Sequence, residues 1–305
     1  MTNFGGDMKN KELKASLLLL LTAAIWGFAF VAQRKGMDYI GPFTYTGIRF
    51  LLGSLSLLPV IKLFGGRKES GNKGDTSKDI VKAGIIAGTV LFIAATFQQV
   101  GLQYTTAGKA GFITSLYIVI VPIMGLFMKQ RSNAFIWIGA IVAAFGLYLL
   151  SINEDLTIQF GDLLQLIGAF FWAAHIIILG IVAKKLDPLK FSAVQFTVTG
   201  TWAIIAAFIF EDIQLGGIMD ASIPLLYGGI FSAGIAYTIQ AIAQKDAKTS
   251  HAAIALSMEA VFAAIGGAII LHERLPLKGY IGAGLMLAGM LISQADNFRK
   301  MPETK

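Results

Sequence analysis

Cysteine is absent from the 305 residues, which removes any disulfide scaffold, thiolate metal site or thiol nucleophile. Charge is scarce as well. Asp, Glu, Lys and Arg make up 14% of the chain, hydrophobic residues 55%, and the mean hydropathy is +0.69, whereas a soluble globular chain carries roughly 25% charged residues. The three histidines form no metal-ligating set, and no G-x-x-x-x-G-K loop is present to cradle a phosphate. No Ser, His and Asp come together at one membrane face, so neither ATP-driven work nor triad hydrolysis is expected. The formal charge of +7 comes without a basic patch interleaved with aromatics, which argues against nucleic acid as a partner.

What is there is apolar sequence in long runs. The charges cluster between apolar runs of 17 residues or more, enough to cross about 30 Å of hydrocarbon as helix. The pattern predicts ten spans, at about 13 to 31, 43 to 63, 80 to 100, 107 to 128, 135 to 151, 163 to 183, 191 to 210, 223 to 242, 252 to 271 and 277 to 293. The first follows Lys9, Lys11 and Lys14 like a signal peptide, but its length and the nine spans after it favour a retained helix. With the N-terminus inside, 19 of the 25 basic residues fall in loops on the cytoplasmic side, so both termini are expected there. The Gly-rich, charged stretch from Phe64 to Asp79 reads as a connector, and the segment after Gln294 as a short polar end.

The chain also repeats itself. Trp26 and Pro42 are matched by Trp172 and Pro188 at an offset of 146, which also carries Phe50 onto Phe196. In the third and eighth spans Thr96, Gln99 and Gln103 fall on Tyr237, Gln240 and Gln244, an offset of 141, while Ser115 falls on Ser257 at 142. Two halves, 13–151 and 161–295, each contain five spans. Because five is odd, the halves enter the membrane in opposite directions. The expected fold is thus an all-α integral membrane protein of ten transmembrane helices arranged as two inverted five-helix repeats. That architecture places a site near mid-membrane between the halves of many secondary transporters.

The motifs "AAIWGFAF" in the first span, Arg49–Phe50, "GLQYTTAGKAGFITSLYIVIVPIMG" from Gly101 and "SMEAVFAAIGGAIILHERL" from Ser257 resemble those of EamA-type exporters of the drug/metabolite transporter superfamily. The resemblance covers almost the whole chain. It implies efflux of small metabolites, amino acids or drug-like molecules, across a bacterial cytoplasmic membrane. The family often has proline after the glutamate of the ninth span. Ala260 stands there in this chain, which puts a kink at that point in doubt.

Two formal charges lie deep in spans, Arg49 and Glu259, with His175 a titratable third. Such residues usually face the bundle interior and mark transport pathways. Ala255, Ala263 and Gly267 flank Glu259 at helical spacing, and Tyr45, Thr46, Gly53 and Ser56 flank Arg49, so both point inward. Glu259 reads either as a desolvated carboxylate that exchanges a proton or meets a cationic substrate group, or as the partner of Arg49 in an ion pair locking the halves. The candidate cavity wall comprises Thr22, Trp26, Arg49, Thr96, Gln99, Gln103, Ser115, Tyr117, Trp172, His175, Tyr237, Gln240, Gln244, Ser257 and Glu259. The amides can bond a zwitterion. Trp26 and Trp172 can cover it, although aromatic packing is the commoner use, and His175 reads first as a packing residue. Lys109 and His251 are expected as interfacial groups, and Glu273 before Pro276 as a loop cap.

The small-residue faces with Gly139, Gly146, Gly282 and Gly289 point to close packing of the fifth and tenth spans on each other or on a second protomer of a homodimer. The expected partners are a small-molecule substrate, the lipid bilayer and a proton as coupling ion, with no cofactor. Competing readings are a sugar-phosphate or nucleotide-sugar exchanger, which would want more deep cations than Arg49, and a lipid-handling or scaffold protein.

Overall fold

A computed structural model describes residues 4–64, 77–129, 133–151, 159–272 and 277–299. The Gly-rich connector, Glu273 and Pro276, and the extreme C-terminus lie outside these residues. Within them the chain is helical throughout: α1 (Phe4–Gly36), α2 (Pro42–Phe64), α3 (Ser77–Gly101), α4 (Ala107–Thr114), α5 (Tyr117–Phe127), α6 (Ala134–Ser151), α7 (Phe160–Val182), α8 (Pro188–Phe210), α9 (Leu215–Asp220), α10 (Ser222–Leu226), a π-helix (Tyr227–Tyr237), α11 (Thr238–Ala243), α12 (Thr249–Leu256), α13 (Glu259–Ile270) and α14 (Leu277–Arg299). Among the described residues, eight helical stretches are long and apolar enough to cross a membrane. Two more, Ala134–Leu149 and Leu277–Ser293, are apolar but shorter. This is an all-α, multi-pass membrane protein.

Local chemistry sets the helix starts. Asp187 caps α8 by accepting from the backbone N–H of Leu189 at 2.9 Å and of Lys190 at 3.4 Å, with Pro188 in the first turn. Thr106 caps α4 by accepting from the Lys109 N–H at 3.2 Å. Glu211, at the end of α8, does the same for another helix: its carboxylate accepts from Phe43 N at 2.7 Å and Thr44 N at 2.8 Å, holding a negative charge on the N-terminus of α2.

Two spans are interrupted. The stretch Ala107–Phe127 breaks at Ser115–Leu116, between α4 and α5, and the stretch Thr249–Ile270 at Ser257–Met258, between α12 and α13. Tighter bonds run through both breaks, such as Ile118 N to Ser115 O at 3.0 Å and Ala260 N to Ser257 O at 3.1 Å. Proline is not the cause at Ser257. Its hydroxyl instead donates to Ile254 O at 2.8 Å, competing for a helical carbonyl. The missing family proline therefore does not leave the ninth span straight. The π-helix in the eighth span, within "YGGIFSAGIAY", was not legible in the apolar pattern.

The bundle packs α2 on α8, α3 on α7 and α8, and α1 on α13 and the π-helix, while α6 and α14 lie against each other at the periphery. The α6–α14 contact is backbone to backbone. A Cβ on Gly146 would sit 2.5 Å from Gly282 O, and one on Gly139 2.6 Å from Gly289 O. The glycine faces are therefore satisfied within one chain, which removes the reason for placing them at a subunit contact. Gly284 on the same helix has nothing within 4 Å of its Cβ direction. Gly146→Ala should accordingly lower the thermal midpoint of the purified protein by about 5 °C, while Gly284→Ala leaves it unchanged or slightly raised through helix propensity. Equal shifts for the two variants would show that the contact is not tight.

Candidate functional site

Where the two broken spans cross, Tyr117 and Glu259 meet. Each is the first residue after its break, and the Tyr117 hydroxyl donates to Glu259 Oε1 at 2.8 Å. Beside them the Ser115 hydroxyl donates to the Ser257 carbonyl at 3.3 Å. Glu259 is 3% exposed and sits in the first turn of α13, where the positive end of the helix dipole favours an anion. Small residues make room for this crossing. A Cβ on Gly27 of α1 would lie 2.8 Å from Glu259 O, so only glycine lets α1 come this close.

Glu259 opens onto a cavity also lined by Trp26, Gln33, Arg49, Gln98, Tyr117, Trp172, Ser232, Tyr237 and Gln240. Aromatic rings form its wall. Trp26 and Tyr237 have centroids 4.4 Å apart, Trp26 and Trp172 6.5 Å, and Trp172 stacks on Tyr237 at 6.2 Å. Phe50 and Phe196 back this wall, 5.9 Å from each other and 5.8 and 5.7 Å from Tyr237. The π-helix shapes one side: its Ser232 and Ala236 carbonyls accept from Trp26 Nε1 and Thr22 Oγ1, both at 3.3 Å, while the Tyr227 hydroxyl reaches back to Ile25 O at 3.0 Å.

Arg49 is the second charge on the cavity, 2% exposed. Its guanidinium lies 4.7 Å from the Phe50 ring centroid and 5.9 Å from that of Tyr45, a cation–π environment. Among the described residues no carboxylate approaches within 4 Å of it, and its Nε has no hydrogen-bond partner. Arg49 and Glu259 thus face one space without pairing, so the locking ion pair is not formed in this arrangement. The ion pair within 4 Å among the described residues is elsewhere: Lys109 Nζ to Asp162 Oδ2 at 2.6 Å, with Thr105 Oγ1 donating to Asp162 Oδ1 at 3.0 Å. Lys109 therefore joins α4 to α7 rather than simply facing the interface, and His251 is buried. The cavity itself encloses about 20 Å³, room for a water molecule and not for a metabolite.

Seven of the fifteen candidates line this space: Trp26, Arg49, Tyr117, Trp172, Tyr237, Gln240 and Glu259. Thr22, Ser115 and Ser257 stand next to it, bonded to backbone. His175 lies behind the wall against Trp172 and Tyr237. Gln99 reaches the Gln33 carbonyl at 3.5 Å and Gln244 that of Ile176 at 3.0 Å, both away from the cavity, and Thr96 is half-buried outside it. Gln103 is exposed in a surface groove with Arg34, Asp38 and Thr105. The reason is that α3 ends at Gly101, so helical spacing no longer carries Gln103 onto the inner face.

Sequence reasoning missed Gln33 and Gln98. Both could have been found: Gln33 continues the Trp26 stripe by seven residues, and the offset of 142 that aligns Ser115 with Ser257 also aligns Gln98 with Gln240. Because Arg49 has no counter-ion, Arg49→Met should leave the thermal midpoint unchanged or raise it, whereas Lys109→Met, which strips Asp162 of its cation, should lower it. The reverse order would reveal a structural partner for Arg49.

The chain matches the EamA-like transporter family over residues 13–152 and 159–294. It is 34% identical over 290 residues to an uncharacterized transporter of Archaeoglobus fulgidus, covering 94% of this chain and 88% of that one. It is 23% identical over 287 residues to the uncharacterized transporter YoaV of Bacillus subtilis, covering 92% and 97%. A solved crystal structure shares the fold with a TM-score of 0.75 at 16% identity, covering 95% of this chain and 99% of the other. The chain belongs to the EamA-like transporter family.

Proposed function

We propose that this membrane transporter is a secondary exporter of small organic metabolites, amino acids or drug-like compounds, working by alternating access around the cavity between Arg49 and Glu259. The observation that carries the reading is that pair of buried, opposite, unjoined charges on one aromatic-walled space. Buried charges cost several kcal/mol each unless compensated, and charges within membrane spans are typically retained for function. A site of this kind suits a ligand with an anionic group for Arg49, a cationic group or proton for Glu259, and an apolar body for Trp26, Trp172 and Tyr237.

The ten-span, inverted-repeat topology with both termini cytoplasmic belongs to the same proposal. It is supported by the way equivalent positions meet. Trp26 contacts Trp172, Phe50 contacts Phe196, Ser115 bonds to Ser257 and Tyr117 bonds to Glu259, at the repeat offsets of 146 and 142. Residues touch their own counterparts only near a two-fold axis, and such an axis in the membrane plane is where inverted-repeat transporters bind substrate. The small volume corresponds to an occluded state, so one half must move against the other for a ligand to enter. A sugar-phosphate exchanger would need further deep cations beside Arg49, and nothing in the cavity favours lipid chemistry.

The decisive experiment is substrate-dependent proton flux and counterflow in proteoliposomes loaded with a panel of amino acids and small cations. Wild-type protein should transport at least one of them. Glu259→Gln, which keeps the size and the capacity to accept the Tyr117 hydroxyl, should reduce that transport roughly tenfold or more at equal protein level. Wild-type rates in this variant would overturn the role of the carboxylate, and the absence of any flux together with turnover of a lipid would overturn the transporter reading itself.

A further inference from the structure

Behind the aromatic wall lies a second group of buried polar side chains that hydrogen bonding within the protein does not satisfy. His175 on α7 is wholly buried, its ring 6.2 Å from that of Trp172 and 6.1 Å from that of Tyr237. Its Nε2 lies 3.0 Å from Gln195 Oε1 on α8, which makes Nε2 the N–H side and Nδ1 a bare acceptor. That Nδ1 and the Gln195 Nε2 have no partner. Nearer the end where α7 hands over to α8, Ser192 Oγ is likewise buried and unpartnered. Gln244, just past α11, uses its amide nitrogen on Ile176 O at 3.0 Å and leaves Oε1 open. At the cavity end, Gln240 has neither amide atom bonded.

These five residues come from three neighbouring elements, and all are 0% exposed. Buried polar atoms are nearly always paired, with protein or with ordered water, because an unpaired one forfeits the bonds it had in solution. One open valence would be an isolated defect. A file of them, leading from the cavity to one end of the bundle, has the composition of a path that water can enter. A polar cluster at the opposite end of α7, shared with α3 and α4, is different in kind. There Thr114 Oγ1 donates to Gln165 Oε1 at 3.1 Å, Gln165 Nε2 donates to Gln98 O at 2.8 Å, and Asp162 is held by Lys109 and Thr105. That cluster is bonded shut, while the group around His175 keeps free donors and acceptors.

We propose that Gln240, His175, Gln195, Ser192 and Gln244 form a hydrated leg of the transport route, joining the Arg49–Glu259 cavity to the membrane face that carries Lys184 and Lys190. The leg serves a polar, water-solvated solute: it offers uncharged donors and acceptors throughout, so it exchanges hydrogen bonds with a passing zwitterion without trapping it on a fixed charge. The inference rests on the transporter reading above and extends it to a specified point of entry.

The absence of cysteine from the chain makes the test direct, since a single introduced thiol has no background. Ser192→Cys, Gln195→Cys and Gln244→Cys are expressed in oriented membrane vesicles and treated with a charged, membrane-impermeant methanethiosulfonate reagent. Lys184→Cys marks the accessible face, and Ala143→Cys, buried in the α6–α14 contact, marks a dry interior. At least two of the three leg positions should react from the side that labels Lys184→Cys, and at least tenfold faster than Ala143→Cys. Should one variant fail to elute as folded protein, His175→Cys takes its place. Leg positions as slow as Ala143→Cys while Lys184→Cys reacts would overturn the proposal. Labelling reads access alone: an unreactive leg in a protein that still transports sinks the leg and spares the function, whereas a reactive leg without transport does the opposite.

Discussion

The crossing of two broken helices is the constraint on which the rest of this molecule depends. In lipid, a helix that interrupts its own hydrogen-bond ladder exposes backbone polar groups, and this is tolerated only where protein surrounds the break. Here each break is covered by the other. Ser115 and Ser257 bond across the crossing, Tyr117 and Glu259 follow one residue behind, and Gly27 admits α1 against the same point. A carboxylate placed farther along α13 would lack the positive end of the helix dipole and the tyrosine hydroxyl. Satisfying the backbone and housing the charge are therefore one structural solution.

From that crossing outward, the aromatic wall follows. Trp26 is fixed by its bond to Ser232, and the π-helix that supplies this carbonyl turns Tyr237 toward the two tryptophans. The wider turn of a π-helix frees carbonyls that an α-helix would keep for itself, and side chains of α1 use them. The stacking that results seals the space beneath Arg49 and Glu259. Opening it requires displacing rings packed at 4.4 to 6.5 Å, so the aromatic contacts themselves are part of what any ligand must exchange for its own.

Much of this was legible from residue order. Hydropathy located the eight membrane-length helices because lipid imposes one solvent on every residue that faces it, the repeat offset brought out Trp26 and Trp172, and its lone charge brought out Glu259 before any coordinates. The glycines of α6 and α14 were also readable, although sequence alone could not tell a partner within the chain from one outside it. Side-chain phase near helix ends was not legible. Gln103 was assigned to the cavity on spacing that α3 does not sustain past Gly101, and the π-helix shifts the phase of everything after Tyr227. The pairing of Arg49 with Glu259 was likewise undecidable, since opposite charges in one compartment need not touch when aromatic rings and a hydroxyl already hold them.

The α6–α14 contact has a mechanical corollary. Glycine backbones that touch without intervening side chains cannot slide past one another or separate without losing their packing all at once. Each of these helices closes one half of the chain, so the two halves are clasped at that edge. Under the proposed alternating access, one half would turn against the other about this clasp as a hinge, with displacement growing toward the opposite side of the bundle.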